Sequence, residues 1–231
     1  MKQQPHRYAL PENPKVYLNY LLYLPEDYKE DTGKSRPCIL FLHGAGERGD
    51  DVSILTRTGL PEHVEKQQDF PFITVSPQCP DGSGWHLHVE VLHLLLGDIM
   101  EKYRIDPDRL YLTGISMGGA GAWHFGSQYP ERFAALAPIC GYGQEHLGFP
   151  ERVCALKNVP VWAFHGAKDS VVPPVHSQVL VDTLGDCGGN VKFTLYPDLA
   201  HDSWTATYSN PELYTWFLMH TRQETAIPSG S

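Results

Sequence analysis

The sequence has no run approaching the roughly 20 consecutive apolar residues that a membrane-crossing helix needs. Residues 92–96 form a short apolar patch that Gly97-Asp98 ends at once. Positive charge is also scarce. Eighteen Lys and Arg stand against 27 Asp and Glu, a net charge of −9, so no basic face is available to neutralise nucleic-acid phosphates or an anionic membrane. The amino-terminal Met1-Lys-Gln-Gln-Pro-His-Arg7 lacks the apolar centre of a secretory signal. The chain is therefore expected to be cytoplasmic, or secreted with its signal peptide already removed. The five cysteines, Cys38, Cys79, Cys140, Cys154 and Cys187, include no C-x-x-C pair. That disfavours a zinc site or a disulfide scaffold, though it leaves room for one bridge of unassigned partners. Cys38 and Cys140 lie in apolar runs and read as small buried hydrophobes. Internal repeats and low-complexity linkers are lacking too, and 231 residues suffice for one ordinary domain. One domain over residues 1–231 is the expectation.

What is present is an alternation of short apolar runs with helix-like segments. Residues 16–24 alternate as a strand does. Residues 38–42 and 72–75 are continuous apolar runs of the kind found in strands buried on both faces. Residues 87–103 carry Val91, Leu94, Leu95 and Ile99 at helical spacing. After the turn Asp106-Pro-Asp-Arg109, strands are predicted at 110–113, 133–140, 159–164 and 191–196, with helices at 174–184 and 211–220. Such alternation predicts an α/β fold: a mostly parallel sheet covered by helices on both faces, with functional residues in loops at the carboxyl ends of the strands.

The most informative of those ends is Gly114-Ile-Ser116-Met-Gly118, which follows a strand and leads into a helix-compatible segment. This is the context of a nucleophile elbow, where a sharp turn exposes the serine hydroxyl. A serine needs a base within hydrogen-bond reach and a third group to orient that base. Asp169 lies in a polar loop directly after the 159–164 strand, and His201 in the loop after the last strand, which gives the order Ser, Asp, His. The plainer reading of Asp169 is a cap on the following turn. Asp198, Asp202, Asp182 and Asp186 follow no strand as directly. Among the 12 histidines, His43 and His165 precede glycines at strand ends and are read as fixing backbone turns, while His124, His176 and His220 fall in or beside helices. His86, His88 and His93 cluster near Glu90, but the H-E-x-x-H spacing is missing, and no metal is expected.

A fourth strand end carries His43-Gly-Ala-Gly-Glu-Arg-Gly49. Its glycines let backbone N–H groups approach a developing oxyanion. Ala45, with Gly46 as the other candidate, would supply one donor, and Met117 the second. Arg48 is read as pinning this loop. Trp85 and Trp204 each either cover the rim of the core or form a wall of the substrate pocket, and Gly46 is a further pocket candidate.

These residues resemble the α/β-hydrolase superfamily. More narrowly, they are similar to small carboxylesterases grouped with polyhydroxybutyrate depolymerase-like and feruloyl-esterase-like enzymes, some classed as peptidases. The resemblance runs from Leu18-Asn-Tyr-Leu-Leu-Tyr-Leu-Pro25 through the 43–49 loop, Ser76-Pro-Gln-Cys79 and the elbow to His165-Gly-Ala-Lys-Asp169 and His201. It implies a mostly parallel sheet of about eight strands. It also implies a Ser116–Asp169–His201 triad, oxyanion donors at Ala45 and Met117, and no large lid, residues 145–153 forming at most a small covering loop. The expected activity is cofactor-free hydrolysis of small-molecule or polymer-attached carboxylic esters, short-chain or aryl/feruloyl in type. A serine peptidase or acyltransferase with the same triad is the alternative, and a non-catalytic binding protein the remaining one.

Overall fold

The continuous apolar run Cys38-Ile-Leu-Phe-Leu42 explains the layering of the molecule. In the computed structural model, which describes residues 2–30 and 32–222, this run lies in strand β3 (Arg36–Leu42), buried along its whole length. Cys38, Leu40 and Leu42 point into one hydrophobic cluster and Ile39 and Phe41 into the other, as the period-two alternation of a strand requires. The first cluster is closed by α2 (Val89–Lys102), α3 (Met117–Gln128) and α4 (Val175–Asp186). The second is closed by α1 (Gly59–Lys66), α5 (Trp204–Ser209) and α6 (Pro211–Leu218). A strand covered on both faces needs no polar residue, and this one has none after Arg36.

The remaining strands are β1 (Gln4–Leu10), β2 (Asn13–Tyr23), β4 (Ile73–Pro77), β5 (Ile105–Ile115), β6 (Ala135–Ile139), β7 (Val161–Gly166) and β8 (Val191–Tyr196). They form one eight-stranded sheet in the order β1-β2-β4-β3-β5-β6-β7-β8. Only β2 runs antiparallel to its neighbours β1 and β4; from β4 to β8 every pairing is parallel. The strand order reverses between β3 and β5, so their carboxyl ends open the crevice where α/β sheets place their sites.

Three elements lie outside the sequence-based expectations. Strand β1 occupies the amino-terminal stretch, where alternation is obscured by Pro5 and His6. Helices α1 and α5 are short and are held by packing on the second cluster. Strand β5 also starts earlier than 110. Arg36 pairs with Ile105 and Cys38 with Leu110, so residues 106–109 bulge out of the ladder. The expected Asp106-Pro-Asp-Arg109 turn is that bulge, held by Asp106 accepting from the Asp108 amide at 3.0 Å and from Arg109 Nε at 2.7 Å. One disulfide, Cys154–Cys187, ties the 3-10 turn Glu151–Leu156 to the end of α4, while Cys38, Cys79 and Cys140 are free and buried.

Candidate active site

Ser116 stands between β5 and α3 with φ 52° and ψ −114°, a backbone conformation that L-residues rarely adopt. The turn is this tight because α3 begins directly beneath β3. A Cβ at position 118 would overlap the Leu42 carbonyl, so only glycine fits there. The Ser116 amide donates to the Ile139 carbonyl at 3.0 Å and reaches Cys140 Sγ at 3.3 Å, which fixes the turn to the end of β6.

The loops after β7 and β8 are zipped together by backbone bonds from Ala167 to Tyr196 and from Lys168 to Leu199. Gly166 permits this approach, since a Cβ there would strike the Ala200 carbonyl. The zipped loops bring the Asp169 and His201 side chains into register. His201 Nε2 lies 3.0 Å from Ser116 Oγ, and His201 Nδ1 lies 2.7 Å from Asp169 Oδ2. The three residues singled out by order and strand position are thus in hydrogen-bond contact.

The capping reading of Asp169 is also correct, on its other oxygen. Oδ1 accepts from the Val171 and Val172 amides, each at 2.9 Å. Burial pushes the Asp169 carboxyl up, but the bonds from His201 and from these amides together hold it below its ordinary value. Among the other acidic candidates, Asp198 pairs with Lys168 at 2.8 Å in solvent, and Asp202 accepts from the Thr205 amide in the first turn of α5 at 3.1 Å. Asp182 accepts from Gln178 along α4.

Ala45 opens a 3-10 turn (Ala45–Glu47) after β3, and Met117 opens α3. As the first residues of their helices, neither has an intrahelical acceptor for its N–H. Arg48 donates to Met117 Sδ at 3.1 Å, linking the two segments. That contact accords with the reading of Arg48 as pinning the loop. Further pins are Gln78 Nε2, donating to the Glu47 and Asp51 carbonyls, and the Gly49 amide, donating to the Cys79 carbonyl. His43 does fix its turn, accepting the Cys79 amide on Nε2 at 2.9 Å.

Beside Met117 lies a small open cavity whose enclosed space is about 20 Å³. Its walls include Trp85, Gly121, His124, Leu147 and Phe149. Trp85 is therefore a wall, and it is also fully buried, with Nε1 donating to the His43 carbonyl at 2.9 Å. Trp204 is not part of this lining; its ring stands edge-on to His201, with centroids 5.3 Å apart. Gly46 is exposed and does not line the cavity either. The stretch 145–153, expected to form a small cover, supplies Leu147 and Phe149. His124 and Tyr142 enter the lining without any sequence motif to announce them, His124 through the helical spacing of residues 117, 120, 121 and 124 on one face of α3, and Tyr142 from the loop after β6.

Among the described residues, the one group of three His, Cys, Asp or Glu side chains close enough to share an ion is Cys140, Asp169 and His201, with ligand atoms within 4.8 Å. Its donor chemistry fits a metal poorly. Burial pushes the Cys140 thiol up to about 12, and the Asp169–His201 hydrogen bond occupies the other two groups. The histidines around Glu90 are dispersed: His88 faces Ser83, His93 faces Arg132 and His86 stands against His146.

Comparison with known proteins agrees with this architecture. A solved thermostable esterase is 31% identical with a TM-score of 0.79, over 96% of this chain and 64% of that one. A ferulic acid esterase from Anaeromyces mucronatus shares the fold at a TM-score of 0.68 and 16% identity, over 89% of this chain and 87% of that one. The bifunctional acetylxylan esterase/xylanase of Neocallimastix patriciarum is 28% identical over 169 residues, 63% of this chain and 23% of the relative. Acyl-protein thioesterase 1 of Neurospora crassa is 32% identical over 102 residues, 43% of this chain and 42% of the relative. The chain thus spans less than half the length of these two curated relatives. Residues 65–210, which contain Ser116, Met117, Asp169 and His201, match the phospholipase/carboxylesterase family model, and the chain belongs to that family of α/β hydrolases.

Proposed function

We propose that the chain is a serine carboxylesterase working through an acyl-enzyme. The observation that carries this reading is the 3.0 Å hydrogen bond between Ser116 Oγ and His201 Nε2, with Asp169 2.7 Å behind the imidazole. Ser116 attacks the ester carbonyl while His201 takes its proton and then passes it to the leaving alcohol. Asp169 orients the imidazole and stabilises the imidazolium. The Ala45 and Met117 amides receive the oxyanion. Water, activated by His201, then releases the acid and regenerates Ser116 Oγ–H.

The cavity beside Met117 receives the acyl group. Its apolar Trp85, Leu147 and Phe149 walls suit short-chain and aryl acyl groups. No helix among the described residues is long and apolar enough to cross a membrane. The similarity to an acetylxylan esterase supports polymer-attached esters among the substrates. Ala45, Ser116, Met117, Asp169 and His201 all follow strands of one sheet, which supports a single domain. The Cys154–Cys187 disulfide supports an oxidising compartment, so secretion is the location proposed.

Ser116→Ala is the test. The variant is expected to keep the circular dichroism spectrum and lose turnover of p-nitrophenyl acetate. Turnover at the wild-type rate would overturn the assignment.

A further inference from the structure

By sequence, His165 is a residue that fixes a turn. The structure gives it a second contact, with the carboxylate of Asp169. Its side chain is wholly buried at the end of β7. Nε2 lies 3.1 Å from Asp169 Oδ2, the same oxygen that receives His201 Nδ1, and 2.8 Å from the Val172 carbonyl. Both neighbours of Nε2 only accept, the carboxylate being ionised, so Nε2 carries a proton and donates it. On the far side, Nδ1 lies 2.8 Å from Ser177 Oγ, which lies 3.0 Å from the Gly141 carbonyl.

We propose that His165 is a positioning residue of the hydrolytic reaction, acting through Asp169: its Nε2–H shares and fixes the carboxylate oxygen that orients His201, and Ser177 steadies its other nitrogen. This rests on the Ser116–His201–Asp169 reading above. With His165 in place, Asp169 accepts four hydrogen bonds, two on each oxygen, and its carboxylate cannot rotate. The contacts also close a ring: Val172 donates its amide to Oδ1, and its carbonyl accepts from the imidazole that donates to Oδ2.

Ser177 makes the arrangement tolerant of the charge on His165. With a neutral ring, the serine proton can turn to Nδ1. With a charged ring, Nδ1–H donates to the serine oxygen and the serine proton turns to Gly141. Burial favours the neutral ring, lowering the His165 pKa against the opposing contacts with Val172 and Asp169. A neutral His165 leaves Asp169 free to balance the positive charge that forms on His201, while drawing some negative charge from Oδ2. The titratable groups facing these rings are Asp169 between them, the Cys140 thiol and Asp202. Cys140 stays neutral, and Asp202 is bonded to Thr205. Lys168 is turned away toward Asp198.

Without the His165 N–H, Oδ2 gives its whole charge to His201, which then holds its proton more tightly. The acidic limb of the kcat/KM profile should move to higher pH. The test compares His165→Leu with His165→Gln, whose Nε2–H reaches nearly the same place. His165→Leu is expected to lower kcat about tenfold, the scale of one hydrogen bond to a charged group, with KM unchanged and the acidic limb raised by about half a pH unit. His165→Gln should recover most of both. A loss of activity with an unmoved limb, or unchanged kinetics, would overturn the proposal while leaving the triad intact. A wild-type protein inactive on every ester would instead sink the triad reading.

A readout on the unmodified protein guards against a His165→Leu variant that does not fold. Proton NMR should show two exchange-protected imidazole N–H resonances at low field, and both should shift when a fluorophosphonate occupies Ser116. Movement of the His201 resonance alone would mean that the two rings are not coupled through Asp169, and would equally overturn the proposal.

Discussion

His201 Nδ1 lies 2.7 Å from Asp169 Oδ2, and that carboxylate is anchored independently of the histidine by the Val171 and Val172 amides on Oδ1. The anchoring comes from the loop immediately after β7, so it is set by local chain geometry. The histidine comes from a loop 32 residues further on. The base is thus oriented by a group whose own position does not depend on it, which is the condition for preorganised proton transfer.

Asp169→Asn tests this directly. An amide has the shape of the carboxylate but carries donors on one side. It must therefore oppose either the Val171 and Val172 amides or His201 Nδ1–H with an N–H of its own. The imidazole is expected to lose its orientation, and kcat for a p-nitrophenyl ester to fall by about 10³-fold or more. KM should change little, because Asp169 is buried and meets no substrate. Steady-state kinetics decide it; a loss below tenfold would remove Asp169 from the role proposed here.

Phe149→Ala should widen the cavity beside Met117. Phe149 is buried and lines the cavity, contributed by the covering stretch after β6. If the acyl group occupies this space, the ratio of kcat/KM for hexanoate over acetate should rise by about tenfold, the scale of one or two methylenes in an apolar pocket. A p-nitrophenyl ester series from two to eight carbons measures it. An unchanged chain-length profile would mean that the acyl group lies elsewhere.

The parts of this site legible in the sequence are those fixed by local constraint. The elbow needs glycine at 118 because of the Leu42 carbonyl, and that need is written as G-x-S-x-G. Strand β3 is buried on both faces, and that is written as an unbroken apolar run. Asp169 and His201 follow strands, and the parallel sheet puts strand ends on one edge. What was not legible depends on contacts between distant segments. Helices α1 and α5 form because the second cluster receives Leu60, Val64 and Tyr208, not because their short stretches favour helix strongly. The partner of Cys154 depends on where α4 ends. The second role of His165 depends on Ser177, 12 residues away, turning back beneath β7. The H-x-x-x-D spacing of His165 and Asp169 was its one local signal, and a glycine neighbour masked it as a turn.

The Cys154–Cys187 bridge closes a loop of 33 residues around β7 and α4. In the chain-entropy view, opening such a loop restores freedom to the unfolded state worth about 3–4 kcal/mol. Cys187→Ser with Cys154→Ser, or reduction by dithiothreitol, should lower the melting temperature by several degrees without touching kcat, since neither cysteine borders Ser116, Asp169 or His201. A melting temperature indifferent to reductant would mean that the bridge is not formed in solution.

His43 is fully buried beneath the oxyanion loop, with Nε2 accepting the Cys79 amide and Nδ1 2.6 Å from the Gly44 carbonyl. The neutral ring with its proton on Nδ1 satisfies both contacts. A second proton would turn the Cys79 bond into two opposed donors. Burial is the main cause holding His43 down at about 4; the Gly44 bond opposes it and the Arg48 charge adds to it. In the unfolded chain the group titrates near 6.5. Between those values the unfolded state binds a proton that the native state does not, so stability must fall as pH falls across this window. For His43 alone the loss approaches about 3 kcal/mol by pH 4. His124, also held at about 4 chiefly by burial, works in the same direction. Urea midpoints measured at pH 7.5 and pH 5 should therefore differ, the lower pH being the less stable. His43→Gln, which keeps an acceptor for the Cys79 amide but cannot take a proton, should flatten that dependence. Equal midpoints at the two pH values in the wild-type protein would show that these rings are not held neutral by the fold.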